Sequence, residues 1–172
     1  MGSIRFGILT VSDRSSRGER PDASGPALEQ AVRARGWQVV KNTIVPDDLT
    51  QIQELLIAWT DSAEVNIILT TGGTGFSPRD VTPEATLAVI ERLAPGIAEA
   101  MRLASLRVTP HAMLSRAVAG IRKQTLIVNL PGSPRGALEN LESIAEVLSH
   151  AVDLLSSAPS AEAGHTLQSP SN

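Results

Sequence analysis

Four segments of the sequence combine acidic, glycine or hydroxyl residues in a pattern that could bind an anion and a divalent cation. They are Ser12-Asp13-Arg14, Pro46-Asp47-Asp48, the run from Gly72 to Asp80, and the run from Asn129 to Arg135. Backbone N–H groups in glycine-containing turns bind phosphate, and carboxylates bind hard cations such as Mg²⁺. The sequence therefore predicts an anion site built from backbone amides, with acidic side chains held nearby for a metal ion.

The segment Gly72-Gly73-Thr74-Gly75 is the strongest candidate for the anion site. Glycine adopts positive φ angles freely and lets the backbone approach a ligand, and Thr74 could add a hydroxyl donor. The loop fits neither the Walker pattern nor G-x-G-x-x-G. Taken alone, the four residues are equally compatible with a tight structural turn. The sequence Phe76-Ser77-Pro78-Arg79-Asp80 that follows favours phosphate binding.

Asp47 and Asp80 are the candidate metal ligands. Mg²⁺ usually takes only one or two protein carboxylates, together with waters and substrate phosphates, so two aspartates are sufficient. The structural alternative for Asp80 is a favourable position at the start of the helix that follows it. Asp48, rather than Asp47, is expected to cap the next helix.

The charged neighbours of these acids also allow two interpretations. Asp13 and Arg14 could form a local ion pair at the surface. Arg79 could either pair with Asp80 or offset the charge of a bound substrate, and the sequence favours neither.

Strands and helices alternate along the chain, which predicts how these segments are positioned. Apolar runs over 4–12, 38–45 and 66–71 indicate buried strands, and 117–121 with 125–130 indicate a hairpin. Such alternation is typical of βαβ units, so we expect a single-domain three-layer αβα fold of the α/β class, with a mostly parallel sheet and one antiparallel strand. Ligands bind beyond the carboxyl ends of parallel strands, where the four segments would meet.

Helix boundaries follow from capping signals. Ser24 is expected to cap a helix that ends at Gly36, after a loop over 13–22. Thr82-Pro83-Glu84 combines a capping hydroxyl, a first-turn proline and an acid, and Pro95-Gly96 separates its helix from one over 97–107. The apolar stripe of the last helix, over 133–156, is expected to pack on the sheet, with a subunit contact as the alternative.

Composition excludes several classes of protein. The 172 residues contain no cysteine, which excludes disulfide scaffolds, thiolate metal sites and cysteine nucleophiles. The net charge of −3 gives no electrostatic footprint for nucleic acid, and no apolar run approaches the ~18 residues of a membrane span. We expect a cytoplasmic domain over 1–156 that binds neither nucleic acid nor membrane, followed by a disordered tail over 157–172.

The run from Thr70 to Ala85, TTGGTGFSPRDVTPEA, resembles the signature of the molybdopterin adenylyltransferases, the Mog- and MoaB-like proteins. The G domains of gephyrin and of its plant counterpart belong with them. Segments 11–14, 113–122 and 129–134 are similar to further blocks of that family in the same order. The resemblance covers about residues 4–156.

This resemblance implies transfer of AMP from ATP to the terminal phosphate of molybdopterin, with release of pyrophosphate, in a homotrimeric protein. It implies that Asp47 and Asp80 are the essential acids and hold Mg²⁺. The implied substrate-contacting hydroxyls are Thr74, Ser105 and Ser115, and the implied nucleotide pocket contains Gly72, Gly73, Gly75, Asn129, Pro131, Gly132 and Ser133.

Charge cancellation is the main requirement of such a reaction. A phosphate monoester is already anionic near neutral pH, so the nucleophile needs no strong base, which fits a chain without a candidate catalytic histidine. Arg79, Arg116 or Arg135 is expected to offset the remaining charge. Ser12, Asp13 and Arg14 are predicted to contact the pterin side. The mechanism requires Asp47 and Asp80 to lie near each other.

Two alternatives remain open on the sequence. The first is a non-catalytic module that binds molybdopterin or a nucleotide for a molybdate-insertion partner. The second is a CinA-like hydrolase of a nucleotide or pyrophosphate bond, which would release AMP or nicotinamide without a pterin acceptor. The presence of both Asp47 and Asp80, and the run from Pro78 to Pro83, favour the adenylyltransferase.

Overall fold

The structure is a computed structural model that describes residues 3–156. Within that range the strands are Arg5–Val11 (β1), Gln38–Val45 (β2), Ile67–Thr71 (β3), Arg92–Leu93 (β4), Ala119–Arg122 (β5) and Thr125–Leu130 (β6). The α-helices are Asp13–Ser16 (α1), Ser24–Ala34 (α2), Leu49–Asp61 (α3), Thr82–Val89 (α4), Pro95–Leu106 (α5) and Pro134–Leu155 (α6), and a 3-10 helix spans Pro110–Leu114. The predicted tail over 157–172 lies outside the described residues.

The strands form one sheet in the order β2-β1-β3-β6-β5-β4. The first four are parallel, whereas β5 runs antiparallel to both of its neighbours. The mostly parallel sheet, the antiparallel strand and the hairpin of β5 and β6 are therefore confirmed. The edge strand β4 was not predicted, because its two exposed residues carry no apolar pattern.

The core consists of two apolar layers, one on each face of the sheet. Residues of β1, β3 and β6 alternate between them: Phe6 and Ile8 contact the layer beneath α2, α5 and α6, and Leu9 contacts the layer beneath α3 and α4. This alternation follows from the period of two in a β-strand. The three-layer αβα arrangement is confirmed. It fixes the carboxyl ends of the parallel strands at one edge of the molecule.

Two helix starts differ from the predicted capping. The first is α2, where Asp22 rather than Ser24 caps the helix: its Oδ1 accepts hydrogen bonds from the N–H groups of Ser24 (3.0 Å) and Gly25 (3.1 Å). The second is α4, where the Thr82 hydroxyl donates 2.8 Å to the Gly72 carbonyl and caps nothing. Both hydroxyls donate instead to carbonyls in the loops at the carboxyl ends of the strands. Thr82 donates to Gly72, and Ser24 Oγ donates to the Gly132 carbonyl at 2.7 Å.

Two further boundaries differ. The predicted loop over 13–22 begins with the single-turn helix α1, which Ser12 caps by accepting from the Ser15 N–H at 3.2 Å. Helix α5 begins at Pro95 rather than after Gly96, because proline fits the first turn of a helix. The prediction that Asp48 caps α3 is confirmed, since its Oδ1 accepts from the Gln51 N–H at 2.9 Å.

The last helix packs on the sheet as predicted. Leu141 and Leu148 are fully buried in the same layer as β6, and Ser133 caps the helix through the Gly136 N–H at 3.1 Å. None of the helices between residues 3 and 156 is both long enough and apolar enough to cross a membrane.

Candidate functional site

The loops after β1, β2, β3 and β6 are bonded to one another at one edge of the sheet. The Ser12 N–H donates to the Val45 carbonyl (2.9 Å), and the Gly72 N–H donates to the Leu130 carbonyl (3.2 Å). The Thr71 hydroxyl reaches the Pro131 carbonyl at 2.7 Å. The convergence of the four segments, expected from the parallel sheet, is therefore confirmed.

Most of the predicted site residues line two cavities on either side of the glycine loop. The first, the aspartate cavity, has a volume of about 740 Å³ and contains Ser12, Asp13, Asp47, Gly72, Gly73, Asp80, Gly132 and Ser133. The second, the α5–α6 cavity, has a volume of about 270 Å³ and contains Thr74, Gly75, Ser105, Ser115, Pro131 and Ser133. The chain passes from one cavity to the other between Gly73 and Thr74.

Asp47 and Asp13 fix each other through reciprocal bonds between side chain and backbone. Asp47 Oδ2 accepts from the Asp13 N–H at 2.9 Å, and Asp13 Oδ1 accepts from the Asp47 N–H at 3.1 Å. The two carboxylates are therefore held by the ends of neighbouring strands β1 and β2. Each still has a lone pair available on its second oxygen.

Asp47 and Asp80 both contact the glycine loop. A Cβ on Gly73 would lie 3.0 Å from Asp47 Oδ1, and a Cβ on Gly75 would lie 2.8 Å from Asp80 Oδ2. The two acids thus approach the loop at positions two residues apart, and both line the aspartate cavity. They lie on the same side of the molecule, as the metal hypothesis requires.

The electrostatics of Asp47 favour a cation. Burial raises the pKa of Asp47 above its ordinary value, and the charges of Asp13 and Asp80 raise it further against the opposing effects of the Asp13 N–H and Arg79. A divalent ion would relieve this repulsion. Residues 3–156 contain no cluster of three or more potential metal ligands. The two carboxylates of Asp47 and Asp80 suit Mg²⁺, because this ion takes one or two carboxylates and completes its shell with water and phosphate.

The arginines are distributed differently from expectation. Arg79 pairs with Asp13 (2.9 and 3.0 Å), rather than with Asp80, and Asp13 therefore does not pair with Arg14. These hydrogen bonds lower the pKa of Asp13. Arg135 pairs with Glu139 at 2.7 Å and lines neither cavity.

Arg116 also differs from the predicted role of a free cation. Its Nε donates 2.7 Å to the Gly75 carbonyl, its Nη2 donates 2.7 Å to the Asp80 carbonyl, and its Nη1 pairs with Glu84. The guanidinium is thus committed to the protein backbone and to α4. Its charge is paired with Glu84, and a direct bond to substrate would have to replace one of these contacts.

The glycine loop has the backbone geometry that the sequence suggested at two of its three glycines. Gly72 and Gly73 have φ angles of 103° and 64°, in the region that disfavours side chains. A Cβ on Gly72 would collide with the Val11 carbonyl. At Gly75 the need for glycine is steric instead, because of the Asp80 carboxylate.

The α5–α6 cavity combines an apolar lining with a few hydrogen-bonding side chains and the charged residues Arg102 and Glu139. Asn140, on α6, donates 3.0 Å to Ser105 Oγ on α5 and 2.8 Å to the Gly136 carbonyl. Arg102 donates 2.8 Å to the Ala117 carbonyl and thereby holds the segment that carries Ser115. The predicted Ser105 and Ser115 are therefore brought together in one cavity with Thr74.

Asn129 lines neither cavity, although the resemblance placed it in the nucleotide pocket. Its side chain is 0% exposed, and its Nδ2 donates to the hydroxyls of Thr70 (3.0 Å) and Thr86 (2.9 Å). Its Oδ1 accepts from the Val118 N–H at 3.3 Å. Asn129 therefore connects β3, α4 and the start of β5 and positions the loop that follows it.

Several cavity residues were not predicted from the sequence. Arg17, Arg20 and Asp22 line the aspartate cavity, and Arg102 and Asn140 line the other. Asn140 is only 5% exposed and directly precedes Leu141 of the apolar stripe, so a polar residue on the buried side of α6 was an available signal. Arg17 and Arg20, which follow the single-turn helix α1, carry no comparable signal, since charged residues in a loop usually only face solvent.

Known proteins are similar to this chain over most of its length. A profile of the family described as "Probable molybdopterin binding domain" matches residues 7–150. Molybdopterin adenylyltransferase from Helicobacter pylori J99 is 40% identical over 157 residues, and the match covers 90% of this chain and 89% of that protein. Gephyrin from Dictyostelium discoideum is 44% identical over 163 residues, covering 89% of this chain but 23% of gephyrin, so the chain spans about a quarter of that protein's length.

A solved structure agrees with the sequence matches. The fold is similar to that of MoaB, a molybdopterin biosynthesis enzyme from Thermus thermophilus, with a TM-score of 0.85 and 49% identity over 91% of this chain and 98% of that one. The chain therefore belongs to the molybdopterin-binding family that includes the molybdopterin adenylyltransferases and the Mog and MoaB proteins.

Proposed function

We propose that the protein is a molybdopterin adenylyltransferase of molybdenum cofactor biosynthesis, which transfers AMP from ATP to the terminal phosphate of molybdopterin. The observation that carries this proposal is the pair of adjoining cavities with one glycine loop between them. A reaction between two substrates needs two binding sites that meet at the reacting atoms. A relative with this activity in its name matches nearly the full chain.

The properties of the two cavities assign the substrates. The aspartate cavity is the larger and carries Asp47 and Asp80 together with Arg14 and Arg20, so it fits the triphosphate of ATP. The α5–α6 cavity offers Ser105, Ser115 and Asn140, which suit the ring edges of a pterin. Ser12 and Asp13 lie with the acids, so in this assignment they contact the nucleotide rather than the pterin.

The reaction is a direct displacement at phosphorus. An oxygen of the molybdopterin phosphate forms a bond to the α-phosphorus of ATP while the bond from that phosphorus to the bridging oxygen breaks, and pyrophosphate leaves with that oxygen. The Gly73 amide lies at the same cavity to bind a phosphate oxygen, because the Gly72 N–H already donates to the Leu130 carbonyl. Arg14 and Arg20 stand at this cavity to offset the charge of the leaving group, whereas Arg17 pairs with Glu19. No side chain needs to remove a proton from the nucleophile.

Asp47 and Asp80 would hold Mg²⁺. The two carboxylates, their position at the cavity and the raised pKa of Asp47 fit this ion. When bound, it would neutralise negative charge on the phosphates. The protein residues contribute by fixing both carboxylates before substrate arrives.

The assembly and location are part of the same proposal. We propose a cytoplasmic homotrimer that passes its product to a molybdate-insertion protein. Exposed apolar side chains on α5 and the 3-10 helix, including Leu103 and Met113 at 60% and 67% exposure, support a subunit contact. Sedimentation equilibrium of the purified chain would measure the mass of the assembly.

Incubation of the full chain with ATP, Mg²⁺ and molybdopterin tests the activity. Pyrophosphate should form only when all three are present, together with adenylylated molybdopterin. Molybdopterin binding without pyrophosphate would instead support the non-catalytic module. Release of AMP in the absence of molybdopterin would support a hydrolase.

A further inference from the structure

The segment from Gly75 to Asp80 carries a proposed metal ligand but is not held by apolar packing. Residues 76–79 are all exposed, and the largest of them, Phe76, is 67% exposed. Within the segment, the Ser77 N–H donates 3.1 Å to Asp80 Oδ2, and the Asp80 N–H donates 2.9 Å to the Ser77 carbonyl. These two bonds shape the turn, and Arg79 links its exposed middle to Asp13 (2.9 and 3.0 Å). None of these contacts fixes the two ends of the segment, Gly75 and Asp80, to the helices around it.

Arg116 provides the missing connection. Its Nε and Nη2 donate 2.7 Å each to the carbonyls of Gly75 and Asp80, the first and last residues of the segment. Its backbone N–H donates 2.9 Å to the Thr74 carbonyl, immediately before the segment. One residue therefore bonds both ends of the turn that positions the Asp80 carboxylate.

Arg116 is itself held in place from two directions. Its Nη1 pairs with Glu84 in the first turn of α4. On the other side, Arg102 of α5 donates 2.8 Å to the carbonyl of Ala117, the next residue in the chain. The guanidinium thus connects α4 to the turn, and Arg102 fixes the backbone beside Arg116 to α5.

The planar guanidinium is suited to this arrangement, whereas an ammonium is not. Three of its nitrogens donate in three fixed directions, to Gly75, Asp80 and Glu84. A lysine at this position would keep the charge but supply a single flexible point donor that cannot reach all three acceptors in the same geometry.

We propose that Arg116 is a positioning residue for the metal site: it fixes the Gly75–Asp80 turn and so holds the Asp80 carboxylate in the geometry needed for a divalent cation bound with ATP. The part that concerns the metal rests on the proposed function. The part that concerns the turn does not. Partners that orient a ligand in this way typically change metal affinity by about 10- to 100-fold when they are removed.

Arg116→Lys and Arg122→Lys form a matched pair of variants for the test. Like Arg116, Arg122 donates to a backbone carbonyl (Val89, 3.2 Å) and pairs with a carboxylate (Asp61, 3.2 Å), but its partners lie outside the Gly75–Asp80 turn. Both variants lose a forked contact and keep the charge. Arg116→Ala, if it folds, should enlarge every effect of the lysine variant.

Amide hydrogen exchange of the full chain tests the turn without any substrate. In Arg116→Lys the amides of Ser77 and Asp80 should exchange about tenfold faster or more, while protected amides of β3 and β6 are unchanged. In Arg122→Lys the two turn amides should exchange at the wild-type rate. Wild-type exchange of these amides in Arg116→Lys, or an increase that is uniform over the whole chain, would overturn the proposal.

Binding of Mn²⁺ with ATP, followed by electron paramagnetic resonance, tests the metal part. The apparent affinity should fall about tenfold or more in Arg116→Lys and stay within about twofold in Arg122→Lys. Equal affinity in the two variants would refute the metal role of Arg116. If the wild-type protein bound no Mn²⁺ with ATP, the proposed function would fail at that point, and hydrogen exchange would still decide the role of Arg116 in the turn.

Discussion

The aspartate cavity and the α5–α6 cavity share one loop but are built in different ways. The aspartate cavity is formed by loops at the ends of four strands, and its charged groups are fixed by reciprocal bonds such as those of Asp13 and Asp47. The α5–α6 cavity is formed largely by helices, whose amide and hydroxyl groups bond one another, as Asn140 does with Ser105. The first cavity therefore concentrates charged groups, whereas the second combines apolar surface with a few hydrogen-bonding side chains.

Asp80→Asn should lower the rate of the proposed reaction more than any other variant. The change should be limited to the aspartate cavity. Asparagine can still accept the Ser77 N–H, so the turn is kept, but the negative charge for the metal is lost. We expect the rate of pyrophosphate formation to fall about 1,000-fold, since a metal contributes several kcal/mol of charge stabilisation. Steady-state kinetics with both substrates at saturation measure this.

Asp48→Asn is the control for that variant. Asn caps helices as well as Asp does, and Asp48 lies in the same loop as Asp47 without lining the cavity. The rate of Asp48→Asn should match that of the wild type. A wild-type rate in Asp80→Asn as well would refute the metal hypothesis.

Gly73→Ala should weaken ATP binding and leave molybdopterin binding intact. The added Cβ would lie 3.0 Å from Asp47 Oδ1 and would also meet the Thr82 hydroxyl. We expect the Kd of ATP, measured by isothermal titration calorimetry, to rise about 100-fold, because a displacement of about 1 Å in a site can have an effect of that size.

Gly36→Ala separates this steric effect from backbone strain. Gly36 has a φ of 76°, close to the 64° of Gly73, but nothing lies within 4 Å of its Cβ position. The left-handed backbone should cost each variant about 1 kcal/mol of stability, and Gly73→Ala should lose more because its Cβ also meets Thr82 and Asp47. If both lost ATP affinity equally, the glycine loop would be a structural turn and not a phosphate site.

Ser105→Ala should affect the α5–α6 cavity alone. It removes the acceptor of the Asn140 amide, and a hydrogen bond of this kind contributes about 1 kcal/mol, so the KM for molybdopterin should rise about five- to tenfold. The KM for ATP should not change. A rise in the KM for ATP instead would reverse the assignment of substrates to the two cavities.

Asn129→Ala should have the smallest effect on either cavity and a clear effect on stability. It leaves the Val118 N–H and two buried hydroxyls without their partner, which should lower the free energy of unfolding by about 2–3 kcal/mol. Urea denaturation measures this change. Because Asn129 lines neither cavity, any change in KM should be similar for the two substrates. A change in the KM for ATP alone would show that Asn129 does belong to the nucleotide pocket.

The two cavities also differ in how far the sequence could predict them. The strand ends carry a readable pattern, which is sufficient to place Asp47, Asp80 and the glycines together. The hydrogen-bond partners of these side chains depend on how distant segments pack in the tertiary structure. Nothing in the sequence shows that Arg79 pairs with Asp13 rather than Asp80, or that Arg116 donates to two backbone carbonyls. Ser105 and Asn140 lie 35 residues apart, and only the packing of α5 on α6 brings them together.

The glycine loop separates the two cavities with a single peptide unit. Gly73 lines one cavity and Thr74 lines the other, and their α-carbons are one trans peptide apart, about 3.8 Å. At this point the two cavities are therefore separated by main-chain atoms. The dimensions of the main chain do not change when a side chain is replaced. Exchanging the outer residues of either cavity would therefore change its lining, while the main chain between Gly73 and Thr74 keeps the same thickness.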